Sequence, residues 1–187
     1  MLLLVGLGNP GSNYTNTRHN IGFKIIDAIN SHFKLSKQKP KFKGLLTTGN
    51  IDEKKIYAIK PLTFMNNSGT AIKELIDYFK IDAKDVFVFH DDMDIDFGKI
   101  KAKFGGSSAG HNGIESIDKF IGKDYSRVRI GIGHPKQKKK VNNHVLEDFK
   151  EDEEEKINEI TENIVKQLPT LIERKIDLFS SKVNQDL

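Results

Sequence analysis

The 187-residue sequence contains no cysteine, which excludes disulfide bonds, thiolate metal sites and cysteine nucleophiles. Any catalytic group must therefore be a histidine, a carboxylate, a hydroxyl or an activated water. No apolar run approaches the roughly 18 residues that a membrane span requires, and the first residues lack the basic segment and cleavage site of a secretory signal. We therefore expect a soluble, cytoplasmic protein with no membrane segment.

Tryptophan is absent, and aromatic residues make up only 9% of the chain. The sequence therefore offers little for stacking the bases of single-stranded nucleic acid. Its net charge of +4 conceals an uneven distribution, because residues 1–150 hold 25 Lys and Arg against 16 Asp and Glu, whereas residues 151–187 hold 5 against 10. We expect any polyanionic partner to contact the first 150 residues.

Short apolar runs alternate with amphipathic segments along the chain, which is typical of an α/β domain. The predicted strands cover residues 2–9, 44–51, 55–61, 85–92, 99–106 and 125–133. The predicted helices include Ile25, Ile72, Ile117 and Ile157, and Pro169 is expected to kink or divide the last of them. The segment LSKQKPKFKG, which follows the first helix, is predicted to be a lysine-rich loop.

The second and third predicted strands form a hairpin, which is an antiparallel pair. The other predicted strands alternate with helices, so antiparallel pairing is mixed into the sheet. No internal repeat or long linker divides the chain. We therefore predict one three-layer α/β domain over residues 1–187, with a mixed twisted β-sheet flanked by helices. The acidic end of the chain is interpreted as a solvated helical face.

Gly6, Gly8 and Gly11 match the spacing of a dinucleotide-binding turn directly after the first strand. In that motif a helix begins within the glycines and points its N-terminus at the pyrophosphate. Here Pro10 and a polar stretch that runs to Asn20 come before the next regular element. We therefore reject a dinucleotide site and expect the glycines to form a turn that presents Asn9.

A second set of residues has the chemistry of acyl hydrolysis: His19, Asp91, Asn9, Asn66 and Asn112 all lie in predicted loops or at the ends of predicted elements. A neutral imidazole can take a proton from water, and a carboxylate on its other nitrogen fixes the tautomer. Carboxamides can orient water and contact a developing oxyanion. A loop histidine can equally be simply exposed, and a loop asparagine can simply form a turn, so spacing alone leaves both interpretations open.

The cluster His90-Asp91-Asp92-Met93-Asp94, together with His19 and His111 elsewhere in the chain, offers a different chemistry, because it has the ligand types found in hydrolytic metal sites; the metal-dependent alternative is built on His90, Asp91 and Asp94. Acidic residues at the end of a strand are also ordinary turn formers. A metal-dependent hydrolase is therefore an alternative.

Cations recur at every second position of two predicted strands, which places them on one face of the sheet. They are Lys99, Lys101, Lys103, Arg127 and Arg129, and a basic loop adds Lys136, Lys138, Lys139 and Lys140. These residues either contact nucleic-acid phosphates or simply face solvent. If they bind nucleic acid, contact with the backbone is favoured over reading of the bases.

Five motifs occur in order along the chain: GLGNPGSNYTNTRHNIG (6–22), PLTFMNNSG (61–69), HDDMDI (90–95), GGSSAGHNG (105–113) and RVRIGIGHP (127–135). Together they resemble the bacterial-type peptidyl-tRNA hydrolases. The resemblance runs in order from Leu4 to about Val145, with a weaker helical match to the end, and five motifs in register are far more specific than one glycine pattern.

The resemblance implies a monomeric esterase without metal or cofactor that cleaves the peptide from the tRNA ribose and releases free tRNA and peptide. By matching positions, His19 would be the catalytic base, Asp91 its orienting partner, and Asn9 the amide that positions the base and the water. These are three of the residues that the chemistry of the sequence had already selected.

The resemblance also implies binding residues. Tyr14, Met65, Asn66, His111 and Asn112 fall on the family's substrate-cleft positions. Lys101, Lys103 and Arg129 fall on the positions expected to hold tRNA phosphates. A relative that binds RNA without hydrolysis remains an alternative, which a turnover assay would distinguish.

Overall fold

The structure is a computed structural model that describes residues 1–137 and 141–185. The strands are β1 (Leu2–Gly6), β2 (Lys39–Lys41), β3 (Gly44–Ile51), β4 (Lys54–Pro61), β5 (Val86–Asp92), β6 (Ile100–Phe104) and β7 (Ser126–Gly131). The helices are α1 (Ile21–His32), α2 (Ser68–Phe79), α3 (Asn112–Ile121), α4 (Val141–Leu146), α5 (Glu151–Ile172) and α6 (Ile176–Gln185). Among these residues, no helix combines the length and the apolarity needed to cross a bilayer.

All the strands belong to one sheet with the order β2-β3-β4-β1-β5-β7-β6. The four central strands β4, β1, β5 and β7 pair in parallel, whereas β2, β3 and β6 add antiparallel pairs at the two edges. The hairpin predicted for β3 and β4 is confirmed. Because parallel and antiparallel pairs occur together, the predicted mixed sheet is also confirmed.

Side chains of β1 alternate between two helical layers. Leu2 and Leu4 lie in a core formed with α1, α5 and α6, whereas Leu3 and Val5 lie in a core formed with α2 and α3. A strand that is buried on both faces reads as a continuous apolar run, which explains why no polar alternation appears in it. The resulting helix, sheet and helix layers confirm the predicted fold class.

The segment predicted as a lysine-rich loop contains β2, and the loop prediction is therefore wrong for Lys39–Lys41. All three residues are exposed, and they pair antiparallel with the start of β3 at one edge of the sheet. A short, charged edge strand that contains proline shows no apolar alternation, and such residues protect an edge against further pairing. The periodicity used to predict strands is therefore missing here.

The last helices also differ from the sequence-based expectation. Helix α5 continues through Pro169 to Ile172, so the proline does not divide it. Leu168, Leu171 and Ile172 are buried around the proline and hold this last turn on the core, which offsets the lost backbone hydrogen bond. The acidic helix is solvated on one face only, because its apolar side chains pack into the core.

The glycines near the end of β1 serve close packing more than they serve a turn. A Cβ on Gly22, at the start of α1, would lie 2.3 Å from the Leu7 nitrogen and 2.4 Å from the Phe89 oxygen. A Cβ on Gly6 would lie 2.1 Å from the Gly22 oxygen, whereas Gly11 has a φ of 109°. The start of α1 therefore packs directly on β1 and β5, which brings the loop before α1 to the carboxyl ends of these strands.

Candidate active site

His19 and Asp91 meet at the carboxyl ends of β1 and β5. His19 lies in a short 3-10 turn, Arg18–Asn20, just before α1, and Asp91 is the sixth residue of β5. The Nδ1 atom of His19 lies 2.9 Å from each carboxylate oxygen of Asp91. Because an ionised carboxylate only accepts hydrogen bonds, Nδ1 carries the proton, and Nε2 is the ring nitrogen with a free lone pair.

His111 contributes a second hydrogen bond to the same carboxylate. Its Nε2 atom lies 2.9 Å from Oδ1 of Asp91, while its Nδ1 accepts from the backbone N–H groups of Gly113 and Ile114 at the start of α3. Since Nδ1 accepts, Nε2 must carry the proton and donate to Asp91. The N-terminus of α3 therefore fixes the tautomer of His111.

The two histidines and burial set the charge states of this cluster. Burial alone would raise the pKa of Asp91, but the charges and hydrogen bonds of His19 and His111 hold it far below its ordinary value. Burial alone would lower the pKa of His19, but the Asp91 carboxylate outweighs it and raises this pKa above 6.5. His90, which is fully buried beside His111, has a pKa well below 6.5 and stays neutral.

Asn9 is held in place at three of its polar atoms. Its Oδ1 accepts from the Met65 backbone N–H at 2.9 Å. Its backbone N–H donates to Oδ1 of Asn20, and its carbonyl accepts from Nδ2 of Asn20. With the oxygen bound to Met65, the orientation of the carboxamide is fixed, and Nδ2 is the group that Asn9 can offer to a ligand.

A cleft collects most of the residues predicted from the sequence. Its lining comprises Asn9, His19, Phe64, Met65, Asn66, Asn112, Asn142, Val145 and Leu146. It continues into a second region lined by His19, Asp91, His111 and the carboxyl-terminal side of β5. Tyr14 lies at the margin, where its half-buried ring packs edge-on against Phe64 with 6.4 Å between the ring centroids.

The predicted cationic face lies on β6 and β7, at the edge of the sheet beyond β5. Lys101 is paired with Arg129 and Lys103 with Arg127 in the antiparallel register, so the four side chains share a face. Arg129 donates to Asp92 at 2.7 Å. Partial burial, together with Arg129 and Arg127, lowers the pKa of Lys103. Such a concentration of cations favours an anionic ligand.

One member of that face is not available to a ligand. Arg127 is 1% exposed and donates to the carboxylate of Asp118 in α3 and to the Ser107 carbonyl, so it fits neither of the two alternatives, solvent exposure or phosphate contact. Lys99, Lys101 and Lys136 are exposed. Lys138, Lys139 and Lys140, which the sequence added to this face, lie outside the described residues.

Comparison with known proteins identifies the family. The family model for peptidyl-tRNA hydrolase matches residues 3–187. The chain belongs to the peptidyl-tRNA hydrolase family. It is 72% identical to a peptidyl-tRNA hydrolase of Pelagibacter ubique over 98% of this chain and 99% of that protein, and 46% identical to one of Ehrlichia ruminantium strain Welgevonden over 97% and 93%.

A solved structure shows the same fold. The peptidyl-tRNA hydrolase of Acinetobacter baumannii, a crystal structure at 1.00 Å resolution, is 34% identical to this chain and superposes with a TM-score of 0.92. The superposition covers 98% of this chain and 94% of that one. As a member of the peptidyl-tRNA hydrolase family, the chain is a hydrolase, which confirms the resemblance seen in the motifs.

Of the metal ligands that the sequence offered, His90 and Asp94 do not join a cluster among the described residues, whereas His19, Asp91 and His111 lie together. Among the described residues, the one group of three potential ligands with atoms within 4.8 Å of one another is His19, Asp91 and His111. His90 donates from Nδ1 to the Asp91 carbonyl, and Asp94 pairs with the exposed His134. The three grouped side chains have the right ligand types, but both histidine nitrogens that face Asp91 carry protons in the tautomers derived above.

Two positions next to the base were missed in the sequence. Asn20 fixes Asn9, as described above. Arg18 is buried and donates to Glu153 at 2.9 Å and to the His144 and Glu147 carbonyls at 3.2 and 3.3 Å. It thereby ties the turn that carries the base to the end of α4 and to the first turn of α5. The TNTRHN run gave no signal for either role, because their partners are distant in sequence or are backbone atoms.

Proposed function

We propose that this hydrolase cleaves the ester bond between the peptide and the tRNA ribose of peptidyl-tRNA, with His19 as the general base. The observation that carries the proposal is the bond between Nδ1 of His19 and Asp91, which leaves Nε2 as the proton acceptor at the cleft. Nε2 takes a proton from a water molecule as the water attacks the ester carbonyl. A base of this kind contributes about 10² to 10⁴ in rate.

Asp91 serves two purposes in this proposal. It fixes the productive tautomer of His19, and its negative charge stabilises the imidazolium that forms when the water is deprotonated. His111 donates a hydrogen bond from Nε2 to the same carboxylate, because the start of α3 fixes the tautomer of His111. Asp91 is thus held ionised and oriented before the substrate arrives.

The amides of the cleft supply positioning groups without net charge. The bond from the Met65 N–H to Oδ1 of Asn9 fixes the carboxamide, and its Nδ2 group orients the base and the attacking water. Asn66 and Asn112 are exposed in the cleft and bind the substrate, alongside Tyr14 and Met65. An amide N–H in this lining donates to the ester oxygen as it becomes an anion.

The tRNA portion of the substrate is assigned to the cationic face. Lys101, Lys103 and Arg129 lie on β6 and β7, at the edge of the sheet next to β5, the strand that carries Asp91. They hold phosphates through charge and read no sequence. We expect a monomeric, cytoplasmic enzyme that needs no cofactor or metal.

A matched pair of substrates tests the proposal. N-acetylaminoacyl-tRNA and aminoacyl-tRNA, prepared on the same tRNA, are incubated with the enzyme with and without a chelator. We expect hydrolysis of the acetylated form only, because a neutral amide can be buried in the cleft whereas an ammonium is costly to desolvate. The chelator should change nothing.

Each opposite result has a distinct meaning. Comparable cleavage of both substrates would refute the explanation that the enzyme selects a neutral amide over an ammonium. Loss of activity in chelator with rescue by a divalent ion would make His19, Asp91 and His111 a metal site. Failure to cleave the acetylated substrate, with or without divalent ions, would refute the proposed function and favour an RNA-binding relative that does not hydrolyse.

A further inference from the structure

Arg18 is a buried cation that the proposed reaction does not use. It precedes His19 in the sequence, and its side chain is 3% exposed. Its Cζ atom lies 5.6 Å from the centre of the Phe149 ring. Burial of a charge is costly unless the charge is paired and hydrogen-bonded. The bonds that compensate this cost show which parts of the chain the side chain holds together.

The two terminal nitrogens of Arg18 have different partners. Nη1 donates to the carbonyls of His144 and Glu147 at 3.2 and 3.3 Å, and His144 lies in the last turn of α4, where carbonyls have no partner within the helix. Nη2 donates to Glu153 at 2.9 Å, and Glu153 also accepts from the Lys150 N–H at the start of α5. One planar group therefore holds the end of α4 and the start of α5 in a fixed arrangement.

Backbone pairing holds the chain just after α4. The Arg18 N–H donates to the Glu147 carbonyl at 3.0 Å, and the Phe149 N–H donates to the Asn16 carbonyl at 3.2 Å. These bonds lie at residues 147–149, beyond the last residue of the helix. The side chain of Arg18 reaches further back, to the His144 carbonyl within α4. Loss of the side chain should therefore loosen α4 while the backbone pairing stays.

Helix α4 forms part of the catalytic cleft. Asn142, Val145 and Leu146 line the cleft together with His19, and Asn142 and Val145 also line the region around Asp91. The helix has only six residues, which are too few to be stable in isolation. The position of this wall therefore depends on the contacts that hold the ends of the helix.

We infer that Arg18 is a positioning residue, which holds α4 as a wall of the cleft against the turn that carries His19. The inference rests on the proposed function. A wall that contacts the substrate equally before and during the reaction changes KM and leaves kcat as it is. Asp91 raises the pKa of His19 against the opposing effect of burial. Since neither Asp91 nor His19 is altered, loss of Arg18 should leave the pH dependence of the reaction unchanged.

The test compares Arg18→Lys with a matched variant, Glu153→Gln, on N-acetylaminoacyl-tRNA. Lysine can keep the ion pair with Glu153, but its single nitrogen cannot also replace both bonds of Nη1. Glu153→Gln removes the charge of the ion pair and leaves the bonds of Nη1 to α4 in place. Both variants should melt below the parent.

The kinetic constants should separate the two variants. In Arg18→Lys we expect KM to rise about tenfold, the size of effect expected for one contact in a pocket, with kcat and the pH profile unchanged. In Glu153→Gln we expect KM to equal that of the parent. KM does not depend on the fraction of enzyme that is folded, so partial unfolding cannot imitate this result. If Arg18→Lys is poorly folded, Arg18→Gln provides the same comparison.

Three results would contradict the inference. A KM equal to that of the parent in folded Arg18→Lys, or an equal rise of KM in Glu153→Gln, would show that Arg18 contributes to stability alone. A shifted pH profile in Arg18→Lys would show that Arg18 acts on the base and not through α4.

Failure of the proposed function gives a different result. If the parent does not hydrolyse N-acetylaminoacyl-tRNA, the proposed function is wrong, and the dissociation constant of the same acylated tRNA replaces KM in the comparison. Binding that is about tenfold weaker in Arg18→Lys but not in Glu153→Gln would still support the role of Arg18. Equal affinities in the parent and in Arg18→Lys would refute it.

Discussion

Replacing Asp91 by asparagine removes the negative charge beside His19 but keeps the size of the side chain. The carboxylate now accepts from His19 and from His111 at 2.9 Å each. The tautomer of His111 is fixed by α3, so the asparagine oxygen must accept from His111. The asparagine NH₂ group then faces Nδ1 of His19 and favours placing the proton on Nε2, the nitrogen that must accept it from water.

The size of the effect follows from the lost charge. A hydrogen bond to a charged partner contributes about 1.5 to 3 kcal/mol, which corresponds to roughly 10- to 100-fold in rate when it is lost at the transition state. We therefore expect kcat to fall by that factor on N-acetylaminoacyl-tRNA. The fall should be less severe than for removal of the base, because the imidazole remains.

The pH profile gives a second, independent readout. The charge of Asp91 raises the pKa of His19 above 6.5, and burial alone would lower it. In the parent enzyme kcat/KM should therefore rise with pH through a value above 6.5, as the base becomes neutral. In Asp91→Asn this rise should move to lower pH. A rise at the same or a higher pH than in the parent, in a folded variant, would refute the electrostatic role of Asp91.

Three further predictions concern binding and stability. Lys103→Ala should make the salt dependence of tRNA affinity less steep by about one unit of slope, whereas Lys73→Ala on α2 should not; an unchanged slope would contradict the phosphate contact. Arg18→Gln should lower the free energy of unfolding by about 1.5 to 3 kcal/mol, since it removes the charged hydrogen bond of a buried guanidinium to Glu153, which keeps only its bond to the Lys150 N–H; a melting temperature equal to that of the parent would contradict this. Gly22→Ala should destabilise by about 2 kcal/mol or more, because its Cβ would lie 2.3 Å from the Leu7 nitrogen, and urea denaturation measures the loss.

The elements that the sequence predicts well are those whose burial is periodic. Ile25, Ile26 and Ile29 lie on the buried face of α1, and the apolar run of β5 is buried throughout. Strand β2 has no such pattern, because all three of its residues are exposed, and only its pairing with β3 makes it a strand. Tertiary pairing of this kind leaves no local signal.

The same limit applies to the cations. Alternation places Arg127 and Arg129 on one face of β7, and the structure agrees. In the structure, however, Arg127 is buried under α3 and bonds to the carboxylate of Asp118, whereas Arg129 lies nearer the end of the strand and pairs with Asp92. The two-residue period of a strand predicts which side chains lie on the same face of the sheet, but not which helix covers that face.

The candidate site shows what chemistry alone can select. His19, Asp91 and the asparagines were selected because their groups suit ester hydrolysis, and the parallel pairing of β1 with β5 brings them to one edge. The link from α3 through His111 to Asp91 could not be derived from the residues, because it joins a helix N-terminus to a strand end. The two hydrogen bonds between Asn20 and Asn9 likewise form only in the folded loop, so the sequence did not predict them.

The most direct test of the account is the single-turnover rate of His19→Ala on N-acetylaminoacyl-tRNA at saturating enzyme, with melting and tRNA binding measured on the same preparation. The account predicts a folded variant that binds tRNA as the parent does and cleaves the ester about 10² to 10⁴ times more slowly. Cleavage at the parent rate would contradict the assignment of His19 as the base.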